Sequence, residues 1–180
     1  MPLDMNFLAI SGSARHASTN TAMLHALQSV AAPAHVITVY DRIGQLPVFS
    51  PDLEYPAPPK SVAALARAIA EADGLIIASP EYVRSIPGGM KNVIDWLVSR
   101  DKVIDKPIAL AHASHRGDDM LEQFRIVLGT VSERFNKDIF LRFHLMNLSP
   151  DEIRESLSAA SQQTNMREYL DRFATYCAAS

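Results

Sequence analysis

An apolar run, Phe7-Leu8-Ala9-Ile10, passes directly into Ser11-Gly12-Ser13-Ala14-Arg15-His16-Ala17-Ser18-Thr19-Asn20, a loop of hydroxyls with one arginine. Ser13, Ser18, Thr19 and Asn20 can donate hydrogen bonds, Gly12 lets a ligand approach the backbone, and Arg15 adds a full charge with a forked donor array. The helix expected to follow presents unpaired N–H groups and the positive end of its dipole, so the segment is suited to an anion such as a phosphate. The same residues also suit an ordinary strand-to-helix turn in which Ser18 or Asn20 serves only as the helix cap.

A second segment, Ser79-Pro80-Glu81-Tyr82-Val83-Arg84-Ser85-Ile86-Pro87-Gly88-Gly89-Met90-Lys91-Asn92-Val93-Ile94-Asp95-Trp96, suits a flat, partly apolar ligand. Pro80 and Pro87 restrict the chain at both ends, which lowers the entropy lost when the intervening backbone is held against a ring. Glu81–Arg84 can offer backbone donors and acceptors beside an apolar contact. A third loop, Ser114-His115-Arg116-Gly117-Asp118-Asp119, adds His115 and Arg116, which can contact a ligand or be ordinary exposed loop charge. His112 and His115 with these two aspartates do not make a metal site: the spacing does not force both imidazoles to one point, and zinc needs ligands converging tetrahedrally.

These loops need a scaffold. Apolar runs bounded by turn residues predict five strands, at Asn6–Ile10, His35–Tyr40, Gly74–Ser79, Pro107–Ala113 and Asp138–His144. Between them, Met23, Leu24, Leu27 and Val30 repeat at helical spacing, as do Val62, Leu65 and Ile69, then Met90, Val93, Ile94 and Leu97. A fourth helix is expected around Met120, Leu121, Phe124, Val127, Leu128 and Val131, and a last one running on from Ser149-Pro150-Asp151-Glu152. Alternating strands and helices predict an α/β three-layer sandwich over residues 1–180, a parallel sheet of order 2-1-3-4-5 with helices on both faces. In such sheets ligands sit beyond the carboxyl ends of the strands where the order reverses, which directs attention to the loops after strands one, three and four.

One connection, Asp41 to Pro59, holds five of the eleven prolines. It is either functional or a braced connector packed by Leu46, Val48, Phe49 and Leu53. Trp96, at the edge of its helix's apolar stripe, suits either a subunit contact or packing within the chain. With 180 residues and 48% apolar composition the chain suits one domain. A net charge of −3, from 17 basic and 20 acidic side chains, gives no electrostatic footprint for nucleic acid or an anionic membrane. A single cysteine, Cys177, excludes an internal disulfide and fits a reducing compartment, so the expectation is a cytoplasmic chain with no membrane span. The first loop lacks G-x-G-x-x-G, and no G-K-[ST] follows its glycine, which disfavours both a Rossmann dinucleotide site and a P-loop.

The two long segments together resemble the NADPH-dependent FMN reductase family, whose relatives include quinone, chromate and azo-dye reductases. Its first motif reads G-S-x-R-x-x-S-x-N, and its second roughly P-E-Y-N-x-S-x-P-G-x-L-K-N-x-I-D-W. The resemblance implies a flavodoxin-like fold, bound FMN, NADPH or NADH as co-substrate, and commonly a dimer or tetramer. It assigns cofactor contacts to Gly12, Ser13, Arg15, Ser18, Thr19 and Asn20 for the phosphate. It assigns Pro80, Glu81, Tyr82, Val83 and Arg84 to the isoalloxazine ring, and points the third loop, Ser114, His115, Arg116 and Gly117, at the same ring, with His115 and Arg116 as candidates to contact the flavin or the incoming nicotinamide phosphate. The chain departs from the pattern at Val83, where the family often has asparagine, and in the third loop, which lacks the paired glycines of relatives. The implied activity passes electrons from a nicotinamide through FMN to a quinone, free flavin or similar acceptor, with no side chain needed as acid or base because the flavin carries the redox chemistry. The alternatives are a flavodoxin-like electron carrier, or a flavin-binding regulatory module, that does not oxidise nicotinamide.

Overall fold

A computed structural model of the chain describes residues 4–15, 17–98 and 103–179; His16 of the first loop lies outside the described residues. The strands are β1 (Met5–Ser11), β2 (His35–Tyr40), β3 (Gly74–Ala78), β4 (Ile108–His112) and β5 (Phe135–Arg142). They form one parallel sheet in the order β2-β1-β3-β4-β5, as the alternation of elements predicts. The helices are α1 (Thr19–Ala31), α2 (Lys60–Glu71), α3 (Gly88–Val98), α4 (Asp118–Val131), α5 (Pro150–Leu157) and α6 (Ala160–Ala178).

Side chains alternate across the central strands with the period of two that a pleated strand imposes. Phe7, Ala9, Ile76 and Ala78 face one core, with residues of α1, α5 and α6. Leu8, Ile10, Leu75 and Ile77 face the other, with residues of α2, α3 and α4. Burial on both faces is why β3 reads Leu75-Ile76-Ile77-Ala78 without a polar residue. Each fully buried leucine or phenylalanine here contributes about 1.5–3 kcal/mol.

The register matters most for function. Ile10 lies opposite Ile77 and Ser11 opposite Ala78, while Ala78 lies opposite Ala111. The three central strands therefore end level, and the loops after β1, β3 and β4 emerge side by side.

Two predicted elements change, and two open readings are decided. The last helix is two: Ser149 caps α5 in a reciprocal box with Glu152, as the Ser-Pro-Asp-Glu start implies, but the helix stops at Leu157. There Ser158 donates its hydroxyl to the Glu155 carbonyl at 2.6 Å, a side-chain bond that competes with helix continuation. β5 begins at Phe135 and ends at Arg142, with a register shift against β4 between Ile108 and Leu110, so neither end matches the apolar run. Trp96 is fully buried within the chain, not at a subunit contact: its indole donates to the Pro47 carbonyl at 2.8 Å and meets Phe49 edge-on. The 41–59 connection is accordingly anchored by Leu46 and Phe49, whereas Val48, 81% exposed, and Leu53 face outward and do not brace it.

Candidate functional site

A cavity of about 300 Å³ opens where the three loops meet, lined by Thr19, Asn20, Pro80, Glu81, His112, Ala113, Ser114, Arg116 and Met146. It lies at the carboxyl ends of β1, β3 and β4, the position expected where the strand order reverses.

The first wall is the β1–α1 loop. Ser11 and Thr21 share a 2.7 Å hydrogen bond between hydroxyls, and Ser13 Oγ accepts from the Arg15 backbone N–H at 3.2 Å. Ser18 is the cap of α1, its hydroxyl accepting from the Thr21 N–H at 3.3 Å, so the capping role foreseen for it is real. No acidic side chain occupies the first turn of α1, which leaves its positive dipole end unopposed. Asn20 is buried and lines the cavity, yet its Oδ1 has no hydrogen-bond partner among the described residues. Such an orphan is costly in a folded protein unless a ligand or water meets it. Arg15 is exposed and makes no ion pair among the described residues.

The second wall is the β3–α3 segment. Tyr82 and Ser85 exchange both backbone hydrogen bonds, at 3.1 and 3.0 Å, closing a two-residue turn in which Val83 and Arg84 have φ of 51° and 57°. That is the geometry of a type I′ turn, which asparagine and glycine adopt readily and a β-branched residue does not. The Val83 side chain is 98% exposed and does not line the cavity. The turn is tied to α4: Arg84 Nε donates to Asp119 Oδ2 at 2.6 Å, and Gln123 both donates to the Arg84 carbonyl at 3.0 Å and accepts from the Ser85 hydroxyl at 2.8 Å.

The third wall is the β4–α4 loop. The Arg116 backbone N–H donates to Ser114 Oγ at 2.9 Å, and Gly117 turns the chain into α4 with φ of 102°. Arg142 of β5 fastens this loop by donating to the Ser114 carbonyl at 2.7 Å, the Arg116 carbonyl at 3.1 Å and Asp118 at 2.7 Å. Its guanidinium holds the Asp118 carboxyl below the usual carboxylate range. His115 is exposed and meets His144 edge-on at 5.8 Å between ring centres.

Of the residues singled out in the sequence, Thr19, Asn20, Pro80, Glu81, Ser114 and Arg116 line the cavity. Gly12, Ser13, Ser18 and Gly117 belong to the loops around it without lining it, and Arg15, Tyr82, Val83, Arg84 and His115 face solvent. His112 and Met146 line it without having been assigned to it from the sequence. Met146 follows β5, whose loop carries no motif; the end of the fourth apolar run was the one available sign for His112. No cluster of three or more potential metal ligands occurs among the described residues, and Lys91 pairs with Asp95 one turn along α3.

A family description, NADPH-dependent FMN reductase, matches residues 5–136, which span β1 to the start of β5. The chain belongs to the NADPH-dependent FMN reductase family. Among relatives of this family, it is similar to the quinone reductase of Escherichia coli (strain K12), 34% identical over 106 residues, 58% of this chain and 55% of that protein. It is also similar to the 2-hydroxy-1,4-benzoquinone reductase of a Burkholderia species, 40% identical over 92 residues, 51% of this chain and 49% of that one. The chain spans about half the length of the curated relatives it matches. The solved structure of FerB, a flavoenzyme NAD(P)H:(acceptor) oxidoreductase from Paracoccus denitrificans, superposes with a TM-score of 0.76 over 96% of this chain and 97% of that one, at 24% identity. The shared flavodoxin-like fold is thereby established.

The residues present fit the FMN that the family name implies. Asn20 Oδ1, without a partner among the described residues, needs a donor, which a hydroxyl of the cofactor's ribityl chain could supply; the acid-free start of α1, with Arg15 in the loop that leads to it, suits the phosphate. Gly12 passes so close to Ser79 that a Cβ would lie 2.5 Å from Ser79 Oγ, which keeps the loops after β1 and β3 in direct contact beside the cavity.

Proposed function

We propose that the chain, a single domain over residues 1–180, is an NAD(P)H-dependent FMN-containing oxidoreductase that passes electrons to a quinone, free flavin or similar small acceptor. The observation that carries this reading is the buried, unpartnered Asn20 beside the open end of α1, in a cavity built by the two segments that match the family. Gly12, Ser13, Arg15, Ser18, Thr19 and Asn20 would hold the phosphate through backbone N–H groups, hydroxyls and one guanidinium. Pro80, Glu81, Tyr82, Val83 and Arg84 would line one edge of the ring, with Ser114, His115, Arg116 and Gly117 across from them.

FMN held there by these residues would supply the hydride and electron-transfer chemistry. The protein's share is positioning. The hydrogen-bonded Tyr82–Ser85 turn, moored to α4 through Arg84 and Gln123, presents a fixed backbone edge, which reduces the ordering a ligand must impose. Arg142 performs the same task for the third loop. Glu81 lines the cavity, but hydride transfer requires no proton from it.

Self-association as a dimer or tetramer belongs to the same proposal. It is supported by Val48, Leu53 and Tyr55, three exposed apolar side chains of the 41–59 connection, Tyr55 being 87% exposed. No helix among the described residues is long and apolar enough to cross a membrane. The single, partly buried cysteine supports a cytoplasmic location.

Anaerobic mixing of flavin-loaded protein with NADPH or NADH should bleach the flavin absorbance. Protein that stays oxidised with both would overturn the proposal. Steady NADPH consumption with a quinone acceptor separates a reductase from an electron carrier.

A further inference from the structure

His112 ends β4 as one of the most buried polar side chains of the chain, 1% exposed, and both of its ring nitrogens face backbone carbonyls. Nδ1 lies 3.2 Å from the Ser79 carbonyl at the end of β3, and Nε2 lies 2.6 Å from the Arg116 carbonyl in the β4–α4 loop. A carbonyl only accepts. A neutral imidazole carries one N–H and can serve one of the two, leaving a lone pair set against the other oxygen; an imidazolium serves both. The ring is closely confined, since a Cβ on Gly117 would lie 2.8 Å from Nε2.

We propose that His112 is a positioning residue: protonated, it ties the end of β3 to the β4–α4 loop through both carbonyls, and neutral, it releases one of them, so that pH sets how firmly these two walls grip a ligand in the cavity. The bond released is the longer one, to Ser79. The other, from Nε2 to the Arg116 carbonyl, is the shorter at 2.6 Å and is kept; that carbonyl also accepts from Arg142 Nη2 at 3.1 Å. The charged groups around the ring come from three directions. Arg142 of β5 opposes protonation, Asp118 of α4 favours it, and Glu81 of the β3–α3 segment approaches Gly117 with its Cβ. α1 contributes only the neutral Thr19 and Asn20 to this cavity. Burial outweighs the carbonyl bonds and pushes the His112 pKa below its ordinary 6.5, so the ring is neutral at pH 7 and the second bond forms on acidification.

The sign for global stability is opposite to that for the loop. With the folded pKa depressed, the unfolded chain takes up its proton first, so the His112 contribution to stability falls as pH drops below 6.5 and levels off below the folded pKa. A merely structural histidine has no reason to tighten the loop while the fold weakens.

The link to ligand grip rests on the cavity being the FMN site; the clamp itself does not, and it is tested on FMN-free protein. Imidazole NMR followed downward from about pH 8 to the acid plateau should show His112 titrating below 6.5. Amide exchange at Glu81, the first N–H beyond the Ser79 carbonyl, and at Arg116 across the clamp, corrected for the intrinsic rate, should slow by about fivefold across that transition, the effect of one added hydrogen bond. In His112→Gln the protection should be flat over the same range. With FMN present, its dissociation should slow in parallel for the native chain and not for the variant. A His112 that does not titrate, or that titrates with no change in loop protection, overturns the clamp, and both readouts need only the native chain if the variant fails to fold. Protein that shows the loop transition but retains no FMN at any pH supports the clamp and overturns the FMN reading.

Discussion

Ser79 packs its side chain against Gly12, at a distance that leaves no room for even a methyl group between the loops after β1 and β3. A Cβ at position 12 would lie 2.5 Å from Ser79 Oγ and 3.0 Å from the Ser79 Cα. Because backbone is among the obstacles, rotating the serine side chain does not relieve the clash. Gly12→Ala should therefore destabilise the chain by about 1–3 kcal/mol, the usual range for overpacking, and weaken FMN retention. A urea melt and a fluorescence titration with FMN read the two effects.

Arg15→Ala should separate binding from folding. The side chain is exposed and makes no ion pair among the described residues, so its removal should leave the melting temperature essentially unchanged. A charge-assisted contact to phosphate is worth about 1.5–3 kcal/mol, so FMN affinity should fall about tenfold or more. Unchanged affinity would show that the first loop does not hold the phosphate.

Val83→Asn should stabilise the protein. Valine stands at φ of 51° with its side chain almost wholly in solvent, so the substitution relieves backbone strain and forfeits no buried contact. A gain of about 0.5–1 kcal/mol in chemical denaturation is expected, because asparagine tolerates the left-handed region. A loss would show that the valine is covered by a contact outside this chain, such as a second subunit.

Asn92→Ala should loosen the 41–59 connection. Asn92 Oδ1 accepts from the Phe49 N–H at 2.8 Å and its Nδ2 donates to the Pro47 carbonyl at 2.9 Å. The Pro47 carbonyl keeps the Trp96 indole, but the Phe49 N–H loses this acceptor, at a cost of about 1–3 kcal/mol. Limited proteolysis should then cut more readily within the connection, while Trp96→Phe, which leaves both Asn92 bonds in place, should have the smaller effect.

The strand order and the place of the site were legible because they rest on local patterns. Leu75-Ile76-Ile77-Ala78 states a strand buried on both faces, the Met90, Val93, Ile94 and Leu97 spacing states a helix, and their alternation leaves few topologies. Ser18 as the cap of α1 and Ser149 with Glu152 as the start of α5 were readable for the same reason, since capping joins residues three apart. Trp96 was open to two readings because its partners, Pro47 and Phe49, are far away in sequence and no periodicity points to them. Val48 and Leu53 misled because hydrophobicity alone does not say which face of an irregular loop turns inward.

By itself, then, the sequence determined the parallel sheet, the loops that build the cavity and the family. Only the tertiary structure decided that Asn20 Oδ1 lacks a partner among the described residues, that the Val83 side chain faces solvent, and that His112 stands between the carbonyls of Ser79 and Arg116. The physical reason is the range of each interaction: hydrophobic period and capping act within a few residues, whereas hydrogen-bond satisfaction is settled between strands 33 residues apart, as Ser79 and His112 are.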